Sequence, residues 1–301
     1  MLQNKISRQL LIINILLDNP HGISKNELVS FIEKKFELLN QRFKYLNLAF
    51  NRDLKELRED FGLDIPYSKK HKIYTLNDYN INDSRIELLL NSFKIFSSLV
   101  NSSGLPEYII PEKRKSNGIE NFSILTEAIN KKSIIEFYYF KYDINVTETK
   151  TVKPFALKES KNRWYLIGFY ENTQEYRTFG LDRINNVTLT DRTYKKSPSI
   201  AEINDYFRDS FAMFTDEKTE FVKLSFDIRD GNYIKSYPIH TSQQINFIEK
   251  KNRYEVTLNI KITLDFIMEL LSRSWSVEVI EPLHLRKKIA SIFQEALKRN
   301  K

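Results

Sequence analysis

Two arginines stand beside hydrophobic residues in the segment YRTFGLDRI at residues 176–184. A guanidinium among apolar side chains is costly unless it meets a carboxylate, an anion or water. Its rigid fork of N–H groups suits a phosphate, and a neighbouring Tyr or Phe ring suits a stacked base. We therefore predict an anionic ligand here, unless Asp182 pairs with one of the arginines in a purely structural ion pair. The ligand-binding residues that we predict are Tyr165, Arg177, Phe179, Arg183 and Lys158.

A strand that is apolar on both faces precedes these arginines. In NRWYLIGFY at residues 162–170, Trp164 and Leu166 face one way, and Tyr165 and Ile167 face the other. A strand with one solvated face would alternate with polar residues, so both faces of this strand must be covered. We expect Trp164 and Leu166 in the core, whereas the hydroxyl of Tyr165 needs a partner when it is buried.

The elements that include and follow this strand predict two regions of mixed helix and strand. A short amphipathic helix at NFSILTEAIN precedes five β-prone runs, namely IIEFYYFKY, VKPFALK, RWYLIGFY, YRTFGLDRI and VTLTD, which favour a small, strongly bent barrel. Residues 221–301 then alternate in the order βαββαβα, which is that of a ferredoxin-like sandwich with an added helix. Here His240 is either a ligand donor or a loop residue. Arg286 serves either a partner subunit's pocket or a local salt bridge.

The first 78 residues predict three helices followed by a hairpin with a basic tip. SKNE at residues 24–27 is a capping box that starts the second helix. In the third helix, Phe50, Leu54 and Leu57 form an apolar stripe, and Gly62 is a natural stop. The runs DIPY and IYTL then flank SKKHK. This order is that of a winged helix-turn-helix, whose third helix enters the major groove while the wing touches phosphates.

The polar side of the third helix and the hairpin tip carry residue types that suit DNA. Asn side chains can read base edges, and Lys and Arg side chains can neutralise phosphates. The DNA-binding residues that we predict are Lys44, Asn47, Asn51, Arg52, Lys55, Lys69, Lys70 and Lys72. The alternative is a helical interaction domain with a solvated polar face, in which Arg52 and Asp53 belong to an internal salt bridge.

Composition narrows the classes of function. There are 47 Lys and Arg against 39 Asp and Glu, a net charge of +8, which favours an anionic partner such as nucleic acid. The chain has no Cys, and its four His have no metal-ligand spacing, so we predict neither a metal site nor a cofactor. No Walker loop or HExxH motif is present, so we predict no enzymatic activity. No apolar run approaches the roughly 18–20 residues of a membrane span, and we predict a cytoplasmic protein.

Several motifs together resemble one family. Trp164-Tyr165-Leu166, followed by RTFGLDRI at residues 177–184, resembles the WYL domain of bacterial transcriptional regulators. AFNRDL at residues 49–54 is similar to the recognition-helix segment of their N-terminal winged helix-turn-helix. PIHTSQ at residues 238–243 and VEVIEPLHLR at residues 277–286 are similar to their C-terminal extension. The resemblance covers nearly the whole chain, in family order.

The resemblance implies an Sm-like barrel that binds a nucleotide or a short nucleic acid and thereby alters DNA binding by the head. It also implies a repressor, in a DNA-damage, metabolic or phage-defence circuit. We therefore expect a multidomain α+β protein: a winged helix-turn-helix at 1–78, a helical linker or dimerisation segment at 79–118, a WYL ligand-sensing domain with an Sm-like β-barrel at 119–197, a linker at 198–218, and a ferredoxin-like C-terminal extension at 219–301.

The partners that we expect are double-stranded DNA, a nucleotide or oligonucleotide effector, and a second copy of the chain. The helix predicted at residues 83–101 is apolar around much of its girth, which indicates either core or an oligomer interface. A homodimer would bind a palindromic operator, because dimer symmetry is mirrored in the DNA. Two other classes remain open: a scaffold without DNA binding that docks a partner protein through the middle domain, and an enzyme that acts on nucleic acid.

Overall fold

The computed structural model describes residues 2–38, 43–76, 86–88, 91–92, 110, 118–173 and 175–301. The chain divides into two compact units, Met1–Lys113 and Arg114–Lys301. Most of the segment 79–118, including most of the helix predicted at 83–101, lies outside the described residues. Within it, residues 86–88 and 91–92 are helical.

The described part of the first unit contains the predicted helices and hairpin. The elements are α1 (Leu2–Asp18), β1 (Ile23–Ser24), α2 (Lys25–Leu38), α3 (Asn47–Phe61), β2 (Tyr67–Ser68) and β3 (Ile73–Tyr74). The strands form an antiparallel sheet in the order β1-β3-β2. The core between helices and sheet contains the fully buried side chains of Ile12, Ile13, Leu28, Phe50 and Leu57.

Local signals fix the ends of these helices as predicted. Ser24 and Glu27 form the capping box: the Glu27 N–H donates to Ser24 Oγ at 3.3 Å, and the Ser24 N–H donates to Glu27 Oε2 at 3.2 Å. Gly62 ends α3 in the left-handed region at φ 65°. In α1, Ile6 is 47% exposed, while Leu16 is buried.

The second unit begins with α4 (Phe122–Lys131) and five strands. These are β4 (Ser133–Lys141), β5 (Val146–Ser160), β6 (Arg163–Tyr170), β7 (Glu175–Gly180) and β8 (Ile184–Thr193). They pair antiparallel in the order β7-β6-β5-β4-β8, and within the described residues no pairing joins β7 to β8. The five predicted strands are confirmed, but the sheet is not closed into a barrel in the part described.

The sheet is nevertheless strongly bent. Strands β7 and β8 lie at opposite edges, yet only the 3₁₀ turn Leu181–Arg183 connects them. Consecutive Cα atoms are about 3.8 Å apart, so Gly180 and Ile184 are separated by at most about 15 Å. A flat sheet of this width would separate its edges by about 19 Å at about 4.8 Å per strand. The edges must therefore curl toward each other at this turn.

Both faces of β6 are covered, as its composition predicts. Leu166 is buried in one hydrophobic cluster, where Trp164 meets Phe122 of α4 edge-on at 4.9 Å. Tyr165 and Ile167 belong to a second cluster under helix α5 (Ile200–Phe207). Gly168 interrupts the bulky residues because a Cβ there would lie 2.7 Å from the carbonyl oxygen of Lys153.

Helix α5 lies inside the segment 198–218, for which we predicted a linker. Its start is fixed by a capping box in which the Glu202 N–H donates to Ser199 Oγ at 3.2 Å and the Ser199 N–H donates to Glu202 Oε2 at 2.7 Å. Ile203 and Phe207 are its buried residues.

The C-terminal part follows the predicted βαββαβα order. The elements are β9 (Thr219–Phe226), α6 (Ile228–Ser236), β10 (Gln244–Ile248), β11 (Arg253–Lys261), α7 (Leu264–Ser272), β12 (Glu278–Glu281) and α8 (Leu283–Arg299). The strands pair antiparallel in the order β10-β11-β9-β12. Alternate residues of the central strands β9 and β11, such as Leu224 and Val256, pack with Phe266, Leu270 and Leu285 of the helices. The predicted order of strands and helices is confirmed here.

Candidate functional site

A groove of about 1180 Å³ in the second unit brings together three of the five predicted ligand-binding residues, Tyr165, Arg177 and Arg183. Strands β4, β6 and β7 supply one part of its lining. Residues of the segment 206–216 supply another part. The groove is large enough for a nucleotide or a short oligonucleotide, since ligand sites commonly measure about 300–1000 Å³.

Arg183 lies on the 3₁₀ turn after β7, at the place where the sheet bends. Its guanidinium carbon lies 4.9 Å from the ring centroid of Tyr139 and 5.2 Å from that of Tyr142. Asp182 instead pairs with Arg163, whose Nη1 donates to Asp182 Oδ2 at 3.0 Å. Among the described residues no acid forms an ion pair with Arg183. Two aromatic rings thus hold this cation by cation–π attraction and leave its N–H groups for an anion.

Arg177 lies on the edge strand β7 and is more exposed. It donates to Glu175 Oε2 at 2.8 Å, and the two side chains are 52% and 59% exposed. An exposed pair of this kind contributes at most about 1 kcal/mol. A ligand phosphate can therefore compete with Glu175 for this guanidinium.

The groove is mixed in charge rather than uniformly basic. Lys141 lines it along with Arg177 and Arg183, but the acids Asp143, Glu175 and Asp216 line it too. Guanidinium and ammonium groups suit a phosphate, whereas carboxylates accept hydrogen bonds from amino groups. The lining therefore suits a ligand that carries both an anionic group and N–H donors, as most nucleotides do.

A smaller cavity of about 380 Å³ shares Tyr139, Lys141 and Arg177 with the groove. In it Glu148 accepts from Lys141 Nζ at 2.7 Å and from Lys150 Nζ at 2.5 Å. Hydrogen bonds from these two lysines lower the pKa of Glu148 to about 2. Neither lysine is among the predicted ligand-binding residues. A signal existed in the sequence, since Lys150 stands within a β-prone run, where an ammonium needs a partner.

The other two predicted ligand residues lie elsewhere. Phe179 is 3% exposed, packs edge-on against Phe137 and Tyr139, and lines the smaller cavity. Lys158 lines a separate cleft of about 490 Å³, and its Nζ lies 5.4 Å from the ring centroid of Phe207. Burial lowers the pKa of Lys158. The structure thus does not bring these two residues into the groove.

In the first unit, all eight predicted DNA-binding residues are exposed. Lys44 precedes α3, four of the residues lie on α3, and three lie in the turn between β2 and β3. The four on the helix follow the spacing i, i+4, i+5 and i+8, which places them on one face. They are Asn47, Asn51, Arg52 and Lys55. Lys55 is paired only loosely, at 3.6 Å from Glu59.

A buried polar cluster connects α3 to α1. Arg8 donates to the fully buried Asp53 twice, at 2.7 and 3.2 Å, and the Tyr45 hydroxyl donates to the same carboxylate. The hydrogen bond to Asp53 raises the pKa of Arg8, and burial raises that of Tyr45. Asp53 therefore pairs with Arg8 and not with Arg52. The signal in the sequence was the position of Asp53 on the apolar side of α3, between Phe50 and Leu57.

His240 and Arg286 both bind backbone. His240 Nε2 donates to the carbonyl oxygen of Arg208 at 2.7 Å. Arg286 donates to the carbonyl oxygens of Val279, at 2.6 Å, and Ile280. His240 is therefore a loop residue, and Arg286 ties α8 to β12; among the described residues it forms no salt bridge.

Metal-binding and membrane-spanning features are absent from the described ranges. These ranges contain no group of three His, Asp or Glu side chains that could hold a metal ion. No helix within them is both long enough and apolar enough to cross a membrane.

Comparisons with known proteins agree with the order of these parts. The WYL domain model matches residues 120–189, and the WCX domain model matches residues 218–297. Proteasome accessory factor B/C of Arthrobacter aurescens is 17% identical over 95% of this chain and 46% of its own, with a TM-score of 0.38. A CRISPR Cas-related protein is 9% identical over 60% of this chain and 52% of its own, with a TM-score of 0.39.

The chain thus spans about half the length of these two structures. A comparison with curated proteins gave no match. The two domain matches lie in the second unit, which contains the five-stranded sheet, the groove and the C-terminal sheet. The chain therefore carries a WYL domain followed by a WCX domain.

Proposed function

We propose that the protein is a DNA-binding transcription regulator whose WYL domain binds a nucleotide or short nucleic acid. The first unit would be a winged helix-turn-helix, residues 119–197 an Sm-like barrel, and residues 219–301 a ferredoxin-like extension. A cytoplasmic homodimer acting as a repressor on a palindromic operator completes the proposal. The strand order β10-β11-β9-β12 and the curled five-stranded sheet support the two fold assignments.

The observation that carries DNA binding is the exposed row of polar residues on α3. Asn47, Asn51 and Arg52 point away from a core that the same helix fills with Phe50 and Leu57. The lysines at the tip of the hairpin are exposed in the same unit. Helix and hairpin are the two elements that a winged helix-turn-helix presents to the major groove and to phosphates.

Ligand binding is supported by Arg183 in the groove. A cation that is stacked on two tyrosines, with no acidic partner among the described residues, is prepared for an anion. A ligand there can change DNA affinity only if it binds two arrangements of the protein differently. In the proposed regulation, the groove binds the ligand and the first unit binds DNA.

DNA binding is tested by selecting duplexes from a random library and titrating them by fluorescence anisotropy at several salt concentrations. We expect Asn51→Ala to cost about 1–3 kcal/mol on the selected duplex and little on other sequences. Lys69→Ala should weaken binding to every duplex alike and reduce the salt slope by about 1. A wild-type protein without affinity for any duplex would favour the scaffold alternative.

Ligand binding is tested with a fluorescein-labelled, short single-stranded oligonucleotide and with mononucleotides. Arg183→Ala should lose charge-assisted hydrogen bonds worth about 1.5–3 kcal/mol, which is roughly 10- to 100-fold in Kd. Arg177→Ala should lose less, because this side chain must first leave Glu175. The matched control is Arg192→Ala, whose side chain pairs with Glu171 outside the groove. Equal affinities of Arg183→Ala and the control would remove Arg183 from the site.

A further inference from the structure

The segment of residues 206–216, which we call the groove wall, connects the WYL and WCX domains. We propose that the WCX domain holds the groove wall against the WYL sheet, so that its contacts with the wall set how open the groove is. The inference deepens the proposed function and rests on it for the identity of the ligand. The contacts that hold the groove wall in place are seen in the structure and do not depend on any ligand.

The groove wall contributes a large part of the lining. Tyr206, Met213, Phe214, Thr215 and Asp216 line the groove that also contains the two arginines. The WYL match ends at residue 189 and the WCX match begins at residue 218. This part of the lining therefore comes from outside both matched domains.

One side of the wall is attached to the WYL sheet by apolar packing. Phe207 and Met213 belong to the small cluster that covers Ile167 on the outer face of β6. The hydroxyl oxygen of Tyr206 accepts a hydrogen bond from the Thr215 hydroxyl at 2.8 Å. The two ends of the wall therefore support each other across the groove lining.

The other side of the wall is attached to the WCX domain through Asp265 in the first turn of α7. Asp265 Oδ2 accepts from the N–H of Met213 at 3.0 Å and from the N–H of Phe214 at 3.2 Å. Asp265 does not line the groove. It is a positioning residue, because its hydrogen bonds to the lining segment are made to the backbone N–H groups of Met213 and Phe214.

Further hydrogen bonds from the WCX domain reach the start of the wall. The Lys261 N–H donates to the carbonyl oxygen of Asp209 at 2.7 Å, and Lys261 Nζ donates to the carbonyl oxygen of Tyr206 at 3.2 Å. The Thr219 hydroxyl donates to Asp209 Oδ2 at 2.7 Å. Along with the bond from His240 to Arg208, these contacts hold the wall from strands β9 and β11 and the loop before β10.

This arrangement links the groove to the WCX domain. A ligand that fills the groove touches side chains whose backbone is held by α7 and β11. If the WCX contacts change, the lining changes, and by thermodynamic reciprocity an occupied groove alters those contacts. The wall can therefore transmit occupancy from the WYL domain to the WCX domain.

The absence of cysteine from the chain allows a test that needs no ligand. A Thr178→Cys variant places one thiol on the groove floor, where Thr178 is partly buried. Its rate of reaction with Ellman's reagent reports how often the wall moves away. Adding Asp265→Ala removes two hydrogen bonds to the wall, and we expect the rate to rise roughly 10-fold. An unchanged rate in a protein with wild-type circular dichroism would overturn the proposal.

Three variants separate a loosened wall from general unfolding. Lys261→Met removes the hydrogen bond to the Tyr206 carbonyl oxygen and leaves α7 intact, so the rate should rise by a smaller factor. This variant tests the proposal if Asp265→Ala does not fold. Asp265→Asn keeps an acceptor oxygen and should restore part of the protection. Asp205→Ala is the matched control. Among the described residues, the Asp205 side chain pairs only with Arg208, three positions along the chain, and forms no ion pair with the WCX domain. The rate for this variant should equal that of Thr178→Cys alone.

The same thiol distinguishes this inference from the proposed function. If the single-stranded oligonucleotide fails to protect the thiol and Arg183→Ala does not alter its affinity, the ligand assignment is wrong. The effect of Asp265→Ala on the unliganded rate would still stand. If instead the ligand protects the thiol while Asp265→Ala and Lys261→Met leave its rate unchanged, the ligand site stands and the wall proposal is wrong.

Discussion

Asp53→Ala is expected to destabilise the first unit by about 3–5 kcal/mol, the usual cost of leaving one member of a buried ion pair without its partner. Asp53 is fully buried, and the Arg8 side chain is only 10% exposed. After the substitution the guanidinium would remain against the rings of Phe43 and Tyr45 with no carboxylate to neutralise it. We expect α3, and with it the surface that we propose binds DNA, to lose its fixed orientation.

The measurement must follow the first unit alone. Both tryptophans, Trp164 and Trp275, lie in the second unit, so their fluorescence does not report this transition. Hydrogen exchange of the α3 amides under increasing urea does. The control is the double variant Arg8→Met with Asp53→Leu, which removes both charges and should cost less, about 1–3 kcal/mol, because only the Tyr45 hydroxyl then lacks its acceptor. If Asp53→Ala costs no more than the double variant, the pair is not a structural requirement.

Gly118→Ala is expected to destabilise the second unit by about 2–5 kcal/mol, from the cost of a positive φ plus that of overpacking. Gly118 has φ 99°, and a Cβ on it would run into the backbone of Leu181 and Asp182. Those residues form the turn that holds Arg183. The affinity of the groove for an anion should therefore fall along with the stability.

Tryptophan fluorescence follows this variant, because Trp164 packs against Phe122, which is close to Gly118 in the chain. Gly62→Ala is a control that separates the two costs. Gly62 also has a positive φ, of 65°, but nothing lies within 4 Å of a Cβ placed on it. It should cost only about 1 kcal/mol in its own unit. Equal losses for the two variants would mean that the contact with Leu181 is relieved without strain.

Much of this architecture could be predicted because local patterns determine it. The period of two along β9 and β11, the capping box at Ser24 and the stop at Gly62 depend on residues close together in the chain. The pattern of β6 predicted correctly that both faces are covered. The same reasoning placed Arg177 and Arg183 near one site, because only five residues lie between them in the chain.

The rest could not be predicted, because it depends on which distant residues meet. Arg8 and Asp53 are 45 positions apart, and no local pattern pairs them. Asp265 meets the groove wall about 50 residues away through backbone N–H groups, which every residue except proline carries. Helix α5 is different, since Ser199 and Glu202 have capping-box spacing, a local signal that is present in the sequence itself.

Strand β6 has one more consequence. Leu166 belongs to the hydrophobic cluster inside the bent sheet, and Ile167, the next residue, belongs to the cluster beneath α5. A substitution at Leu166 is expected to change the rigidity of the sheet. A substitution at Ile167 is expected to change how tightly α5 packs on it. Substitutions on the two faces of β6 can therefore change the stability of the sheet and the attachment of α5 independently, because the two clusters lie on opposite sides of one strand.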